Sequence, residues 1–321
     1  MTGGLGHVGF AVAKYIADRY GSDSVICIDN CSSSSPDVLG ECNFEVILKD
    51  LSTLSQIPEC DYVIHTSAFP YEGLSHFMRV HTYTNNLIAT ANLINLCVKF
   101  EVKRLVFTSS MAVYGNIKPP FDEKDFCCPV DPYGNAKLAA ERDIQIASSF
   151  YGLSYCILRL HNVYGPGQNV WSRYRNVIGR WLLQCKNKTF ITIYGSGYQK
   201  RAFSYIDDIV PCIVKACIEP KAENQIINLG GTTPYRLLDV AYLVNFLCDG
   251  VGLVCLEPRR NEVQEAYCTW QKSSDILEYK DKTSLKDGIL ATWNWINNTN
   301  YCIREAIPDF ELDKDVYSYW R

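Results

Sequence analysis

Tyr133 and Lys137, in the run PYGNAK, are two side chains that could together remove a proton from an alcohol. Their spacing of four places them on the same face of a helix, about one turn apart. An ammonium group beside a phenol stabilises phenolate and lowers the phenol pKa from about 10 toward neutral. The tyrosine could then act as a general base. Because Y-x-x-x-K also occurs by chance on helices, the pair needs support from elsewhere in the chain.

A glycine-rich run opens the chain, MTGGLGHVGF, with Gly3, Gly6 and Gly9 spaced as in a loop that binds a dinucleotide pyrophosphate. The helix that follows would point its positive N-terminal end at the same group. Asp29 ends the apolar run SVICI, where a carboxylate can accept hydrogen bonds from the adenosine ribose. It would repel a 2′-phosphate, which favours NAD over NADP. The alternative interpretation is a glycine turn and an unrelated strand-terminal aspartate.

The glycine loop should follow a buried strand, but only Met1 and Thr2 precede it. Loss of a central strand would leave backbone groups of both neighbours unpaired, at about 1 to 3 kcal/mol each. Total stability is only about 5 to 15 kcal/mol. We therefore expect that the first strand is missing from this sequence and that the functional protein or its gene begins earlier.

The elements that would position these residues alternate between short apolar strands and helices. A helix over 7–20 is ended by Gly21, and helical stretches follow at 83–100 and 134–150. Strands without clear alternation are predicted at SVICI, 44–48, 61–65, 104–109 and 155–160. This pattern predicts an α/β fold with a doubly wound parallel Rossmann sheet, covered by helices on both faces.

After Gly165 the alternation weakens. We expect helices at 175–186, 207–218, 236–248 and 284–296 and a strand at 189–194. The expected division is a NAD-binding Rossmann domain over 1–164, rejoined by about 189–218, and a smaller C-terminal α+β substrate domain from 165–188 and 219–321. A ligand would bind in the cleft between them.

Composition excludes several classes of function. A net charge of -4 and a pI near 5.8 provide no field that would attract nucleic acid or an anionic membrane. The fifteen cysteines are scattered and often lie within apolar runs, as reduced cysteines do. We expect no disulfide framework and no metal site. With no apolar run long enough to span a membrane and no signal peptide, the expected location is the cytoplasm.

Further motifs agree with the glycine loop and the Tyr133 motif in order and spacing. They are IDN, KDL, HTSA, TSSMAVYG, NVYGPGQ, IYGSGYQKRAFSYIDD and NLGG. With these motifs the chain resembles the extended short-chain dehydrogenase/reductase family, in its nucleotide-sugar epimerase and dehydratase branch. The resemblance covers essentially the whole chain. It implies NAD as cofactor, a nucleotide sugar as substrate and a homodimer paired through helices 83–100 and 134–150.

The resemblance also implies roles for individual residues. The catalytic residues would be Ser110, Tyr133 and Lys137. The cofactor would contact Gly3, Gly6, His7, Val8, Gly9, Asp29, Asn30, Asp50, Leu51, Thr66, Ser67, Ala68, Asn86, Ser109, Tyr133 and Lys137. The substrate would contact Ser110, Asn162, Asn176, Val177, Thr192, Tyr194, Arg201 and Arg259. Two departures from the family pattern are Ser67, where a small apolar residue is usual, and Asn261, where a glycine is usual, so that Arg260 could replace Arg259.

An absence narrows the reaction that the resemblance implies. Dehydratases of this branch carry an Asp-Glu pair directly after the catalytic hydroxyl residue, but here Met111 and Ala112 follow Ser110. Epimerisation needs no such acids: Tyr133 takes the proton of the sugar 4-hydroxyl, hydride passes to NAD⁺, and the 4-keto sugar turns over before hydride returns. We therefore expect a UDP-hexose 4-epimerase. The alternatives are another nucleotide-sugar oxidoreductase or dehydratase, a 3β-hydroxysteroid dehydrogenase relative, and a non-catalytic NAD-fold scaffold.

Overall fold

Six parallel strands belong to the main sheet of the computed structural model, which describes residues 1–32, 34, 36–172, 174, 176–299 and 308–320. In the described residues the strands are β1 Ile26–Asp29, β2 Glu45–Leu48, β3 Tyr62–His65, β4 Arg104–Ser110, β5 Tyr155–Leu160, β6 Val163–Tyr164, β7 Ile191–Tyr194, β8 Lys200–Ala202, β9 Ser204–Tyr205, β10 Gln225–Leu229, β11 Pro234–Arg236, β12 Leu253–Leu256 and β13 Glu265–Ala266. Strand pairing gives β1–β2 and β10-β5-β4-β3 as hydrogen-bonded groups.

Residues 1–3 join these two groups into one sheet. Thr2 donates its N–H to Ile64 O at 3.0 Å and accepts from Thr66 N at 3.0 Å, which ties it to β3. On the other side Gly3 N donates to Ile28 O at 2.9 Å, in β1. These residues therefore lie between β1 and β3, where the sequence predicts the central strand before the glycine loop.

Helices cover both faces of the sheet. The described residues form α1 His7–Tyr20, α2 Glu72–Ser75, α3 Arg79–Tyr83, α4 Ala89–Lys99, α5 Pro132–Tyr151, α6 Val177–Lys186, α7 Ile206–Ile218, α8 Leu237–Leu247, α9 Gln271–Leu277 and α10 Leu285–Asn298. A π-helical turn, Thr84–Ile88, joins α3 to α4. Every residue of β4 is buried, as a strand with both faces covered requires.

Alternate residues of one strand belong to different cores, because successive side chains of a strand point to opposite faces. Val106 of β4 packs in the cluster that includes residues of α1 and α7. Leu105 and Phe107 pack instead with α4 and α5. The predicted doubly wound α/β fold is confirmed, and the helices observed at 7–20, 132–151, 206–218, 237–247 and 285–298 match their predicted positions closely. Residue 175, the predicted start of α6, lies outside the described residues.

Strand pairing differs from the predicted domain division in two places. The segment 225–229 was assigned to the substrate part, but β10 pairs with β5 and extends the main sheet. The segment 189–194 was expected to rejoin the Rossmann part, but β7 pairs with β12 in a separate sheet. Both differences arise because β7 and β10 are short apolar strands whose hydrogen-bonding partners are distant in the chain.

The described part of the chain contains no helix with the length and apolar character that a membrane span requires.

Candidate active site

A cavity of about 420 Å³ opens at the carboxyl ends of the main-sheet strands. Its wall includes Asp29 at the end of β1, Thr66 after β3, Ser110 at the end of β4 and Asn162 after β5. This is the edge at which parallel α/β sheets bind ligands. The predicted site residues that line it are Gly3, Gly6, His7, Val8, Gly9, Asp29, Asn30, Thr66, Ser67, Ala68, Ser109, Ser110, Tyr133, Lys137, Asn162, Asn176, Val177, Arg201 and Arg259.

The glycine loop is shaped by close backbone contacts. A Cβ atom at Gly9 would lie 1.9 Å from the carbonyl oxygen of Gly3, which only glycine avoids. Gly3 itself has φ +71°, a conformation that side chains disfavour. Gly6 begins α1 as its N-cap and has no side chain that could cap the helix. The N-terminus of α1 is therefore open to an anionic group in the cavity, as a dinucleotide pyrophosphate site requires.

Asp29 is held in place at the end of β1 by backbone donors. Its two carboxylate oxygens accept from Leu5 N at 3.0 Å and from Cys31 N at 2.8 Å. Burial raises the pKa of Asp29, and the hydrogen bonds from Leu5 and Cys31 oppose that rise. Each carboxylate oxygen has a second lone pair, so Asp29 can still accept hydrogen bonds from ribose hydroxyls. The residues present thus fit NAD at this end of the cavity.

Asp50 stands behind Asn30 and does not line the cavity. Its carboxylate accepts from Asn30 Nδ2 at 2.8 Å and from the amide and hydroxyl of Ser52 at 2.8 and 2.5 Å. The Ser52 side chain is the largest cause of the lowered pKa of Asp50. Asp50 therefore positions Asn30, while its neighbour Leu51 packs in the apolar core beneath α4.

Tyr133 and Lys137 lie in the first two turns of α5. The helix begins at Pro132 after the N-cap Asp131, whose Oδ1 accepts from Gly134 N at 2.8 Å. Both side chains are buried against the wall of the cavity. Lys137 Nζ donates to Thr108 O at 2.9 Å and stands 4.6 Å from the ring centre of Phe107. Burial lowers the pKa of Lys137 to about 7, so this ammonium would gain from a phenolate beside it.

A buried ion pair supports this wall, and the sequence analysis missed it. Glu141, one turn after Lys137, accepts from Arg159 Nε at 3.0 Å and from Arg159 Nη2 at 2.7 Å. It also accepts from Ser109 Oγ at 2.5 Å, so the hydroxyl of Ser109 points toward the ion pair. A signal was present, because Glu141 continues the helical face of Tyr133 and Lys137 at a spacing of four.

Ser110 ends β4 and caps the short turn that follows. Its Oγ accepts from Ala112 N at 3.1 Å, which leaves its O–H free to donate into the cavity. Met111 also lines the cavity and contributes an apolar surface there. Position 111 therefore places no acid beside Ser110.

Two arginines outside the main sheet also line the cavity. Arg201, on β8, donates to Val263 O at 2.6 Å and to Lys200 O at 2.8 Å. The guanidinium carbon of Arg259 stands 4.2 Å from the ring centre of Tyr194, and its buried Nε has no hydrogen-bond partner in the described structure. These planar cations suit a diphosphate.

The two asparagines that were predicted to contact the substrate have backbone partners. Asn162 Nδ2 donates to Ala202 O at 2.8 Å, and Asn176 caps α6 through Ile178 N at 3.1 Å. Val177 is the first residue of α6. Asn176 Nδ2 also donates to Val163 O at 3.1 Å, so the two asparagines connect the segment after β5 with β8 and with the start of α6.

Five predicted site residues, all within the described part of the chain, are not on the cavity wall. Asn86 is buried and exchanges hydrogen bonds with the backbone of Phe69. Thr192 bonds to Trp181 and Gln184 of α6, and Tyr194 lies beneath Arg259. The other two are Asp50 and Leu51. The cavity wall also includes residues that the sequence analysis did not assign to the site, among them Glu72, Asp131, Gln168, Asn169 and Tyr317.

Comparison with known proteins identifies the family. Residues 1–230 match the NAD dependent epimerase/dehydratase family. The chain belongs to this family. It is accordingly an NAD-dependent enzyme of the epimerase/dehydratase type, and the predicted family, enzyme class and cofactor are confirmed.

Similar proteins cover nearly the full chain. A putative UDP-glucose 4-epimerase of Methanocaldococcus jannaschii is 29% identical over 311 residues, covering 94% of this chain and 98% of that protein. The solved UDP-N-acetylglucosamine 4-epimerase of Methanobrevibacter ruminantium, in complex with UDP-N-acetylmuramic acid, is 26% identical with a TM-score of 0.85, covering 92% of this chain and 96% of its own. The Bacillus cereus UDP-glucuronic acid 4-epimerase with UDP-glucuronic acid and NAD is also 26% identical, with a TM-score of 0.85 and coverage of 92% and 98%.

Proposed function

We propose that this family member is an NAD-dependent UDP-hexose 4-epimerase. The observation that carries the proposal is that Tyr133, Lys137 and Ser110 line the same cavity as Arg201 and Arg259. The first group suits proton transfer from a sugar hydroxyl, and the two arginines suit a sugar diphosphate. The names of the similar proteins support the same reaction and the same nucleotide.

The cofactor would bind along the edge of the sheet. The N-terminus of α1 would bind its pyrophosphate, Asp29 its adenosine ribose and Lys137 its nicotinamide ribose. When bound, NAD supplies a reversible hydride acceptor next to C4 of the sugar. The nicotinamide side of the cofactor would be lined by Thr66, Ser67 and Ala68. These residues directly follow β3, a central strand, at the carboxyl edge of the main sheet.

Tyr133 would accept the proton of the 4-hydroxyl and return it after inversion. Lys137 stabilises the phenolate while the phenol lacks its proton, because the ammonium is buried and close charges interact strongly there. Ser110 donates its O–H to the oxygen on C4 and orients it toward Tyr133. Catalysis would then rest mainly on positioning. Met111 and Ala112 supply no acid for elimination, which favours inversion over dehydration.

The experiment is an NMR assay of purified protein with UDP-glucose. Inversion at C4 with no net consumption of NAD(P)H supports the proposal. Stoichiometric consumption of free NAD(P)H would identify a reductase, loss of water a dehydratase, and turnover of a 3β-hydroxysteroid alone the steroid alternative. Protein that binds NAD but converts none of these substrates would favour a scaffold.

A homodimer in the cytoplasm completes the proposal. Ile88, Ile146 and Phe150 are exposed on the helical segments expected to pair, and burying such a patch favours association. All fourteen cysteines in the described residues are free, as in a reducing compartment. We also propose a cofactor part and a substrate part of the chain. The cofactor part includes β10, because β10 pairs with β5, and the substrate part includes β7, because β7 pairs with β12. Light scattering of the purified protein tests the dimer.

A further inference from the structure

Two carboxyl groups line the cavity at its Tyr133 end and have no part in the proposed reaction. They belong to Glu72 and Asp131. Asp131 is the N-cap of α5, two residues before Tyr133. Glu72 arrives from a different part of the chain, as the first residue of α2.

A hydrogen bond between α2 and α5 brings the two carboxyl groups together. Ser75 Oγ, in α2, accepts from Tyr133 N at 3.3 Å. Glu72 precedes Ser75 by three residues, so both side chains lie on the face of α2 that meets the start of α5. Burial and the nearby Glu72 raise the pKa of Asp131 to about 7, as expected for two acids that line the same cavity close together.

The carboxylate of Glu72 has no hydrogen-bond or ion-pair partner among the described residues. Glu262, another acid of the cavity wall, differs in this respect. It accepts from Gln199 Nε2 at 2.9 Å and lies 4.0 Å from Arg201. Glu72 is an exposed residue that lines the cavity, and desolvation of its carboxyl group raises its pKa although Arg201 and Arg259 oppose the rise. It is therefore open to a donor on a bound molecule.

A nucleotide sugar held by Arg201 and Arg259 would bring its hexose against this carboxylate. A neutral hexose offers hydroxyl donors, which satisfy a carboxylate that loses water on binding. A hexuronate has a carboxylate at C6 in place of the hydroxymethyl group. It therefore brings a second negative charge to the same space and offers no hydroxyl donor at C6. Discrimination of this kind comes from the repulsion as much as from the attraction.

We propose that Glu72, with Asp131 beside it, selects nucleotide sugars whose hexose carries neutral hydrogen-bond donors and rejects hexuronates. This inference rests on the proposed function, since it concerns the sugar that the same cavity would bind. Glu72 is a specificity-determining residue in this scheme, and Tyr133 remains the base.

The test compares UDP-glucose with UDP-glucuronate on the NAD-loaded full-length protein, by initial rates of C4 inversion and by calorimetric binding. We expect kcat/KM for UDP-glucose to exceed that for UDP-glucuronate by on the order of 100-fold. Glu72→Gln keeps the size of the side chain and removes its charge, so the ratio should fall by about 10-fold. Asp131→Asn, which keeps the N-cap, should lower it less. Asp275→Asn, an exposed acid on α9 outside the cavity, should leave the ratio unchanged.

The outcomes separate the two proposals. Equal turnover of both sugars by the wild type, or a ratio that Glu72→Gln does not change, overturns the selection while the epimerase stands. Binding without inversion overturns the epimerase, and the ratio of the two affinities then tests Glu72. Failure to bind either sugar overturns both proposals.

Discussion

Arg159 and Glu141 form a bidentate ion pair whose side chains are only 3% and 1% exposed. The pair joins β5 to α5 beneath the predicted catalytic residues, and Ser109 donates to the same carboxylate. The Arg159 guanidinium also stands 4.7 Å from the ring centre of Tyr114. The position of α5 relative to the sheet therefore depends on a charge pair with almost no solvent contact.

Glu141→Gln should destabilise the protein strongly. The amide cannot neutralise Arg159, and an uncompensated buried charge costs about 3 to 5 kcal/mol. Urea denaturation followed by circular dichroism measures the change. Glu123→Gln is a partial control, because Glu123 also accepts a hydrogen bond, a partly buried one from Asn228 N at 2.8 Å, but is paired with no cation in the described residues. A loss below about 1 kcal/mol for Glu141→Gln would contradict this account.

Tyr133→Phe should lower kcat by about 100- to 10,000-fold, the usual contribution of a positioned acid or base. The ring keeps its place, so NAD binding and the melting temperature should change little. Initial rates and calorimetry measure the two effects. The matched control is Tyr83→Phe, since the Tyr83 hydroxyl accepts from Asn135 Nδ2 at 3.0 Å and Tyr83 is not among the described residues that line the cavity. A variant that retains parental kcat would exclude Tyr133 as the base.

Lys137→Met should abolish turnover and yet stabilise the NAD-free protein at pH 7. Burial lowers the pKa of Lys137 to about 7, whereas an unfolded lysine titrates at about 10.4. Between these pH values the unfolded chain binds a proton that the folded chain does not, so this residue's contribution to stability rises with pH. Below pH 7 the destabilisation is complete and constant.

The gain for Lys137→Met should therefore be about 1 to 3 kcal/mol at pH 7 and shrink toward pH 10. Denaturant unfolding at several pH values, expressed as variant minus wild type, measures it. Lys103→Met, at an exposed residue paired with Asp61 at 2.6 Å, should show no comparable gain. A gain that grows as the pH rises would show that the sign is wrong.

Trp320→Ala should raise KM for the nucleotide sugar about 10-fold or more with a smaller effect on kcat. Trp320 is buried against Phe77 and Tyr174, and its Cη2 would stand 3.0 Å from a Cβ at Gly73 in α2. Arg259 lies 5.7 Å from its ring centre. Loss of the ring thus removes packing from α2 and from Arg259, which we propose binds the substrate diphosphate. Trp320→Phe, which keeps an aromatic ring, should recover most of the affinity, and an unchanged KM in Trp320→Ala would contradict the positioning role.

The order of elements could be read from the sequence because its signals are local. Gly21 ends α1 where predicted, and Pro132 begins α5 one residue after its N-cap. The strands β1 to β5 and β7 were visible as short apolar runs. The pairing of β7 with β12 and of β10 with β5 was not visible, because hydrogen-bonding partners far apart in the chain leave no local pattern.

The site shows the same limit. Positions near a motif, such as Ser110 and Lys137, reach the cavity as predicted, although their roles remain predictions. Thr192 was expected to contact the substrate, but its backbone and hydroxyl contact α6. Glu72 and Tyr317 reach the cavity through tertiary packing of α2 and of the chain's last described segment. The residues that neighbour them in the sequence do not predict that they line the cavity.

If the uncapped start of α1 at Gly6 binds the cofactor pyrophosphate as proposed, the stability of the folded enzyme depends on the supply of its cofactor. The bound pyrophosphate would satisfy the free N–H groups of the first helical turn, so the dinucleotide would stabilise the fold as well as take part in the reaction. Free NAD at a hundredfold excess over its Kd would add about 2.7 kcal/mol to the stability of the native state. In cells depleted of the dinucleotide, the protein would thus be inactive and would also be degraded faster by proteases.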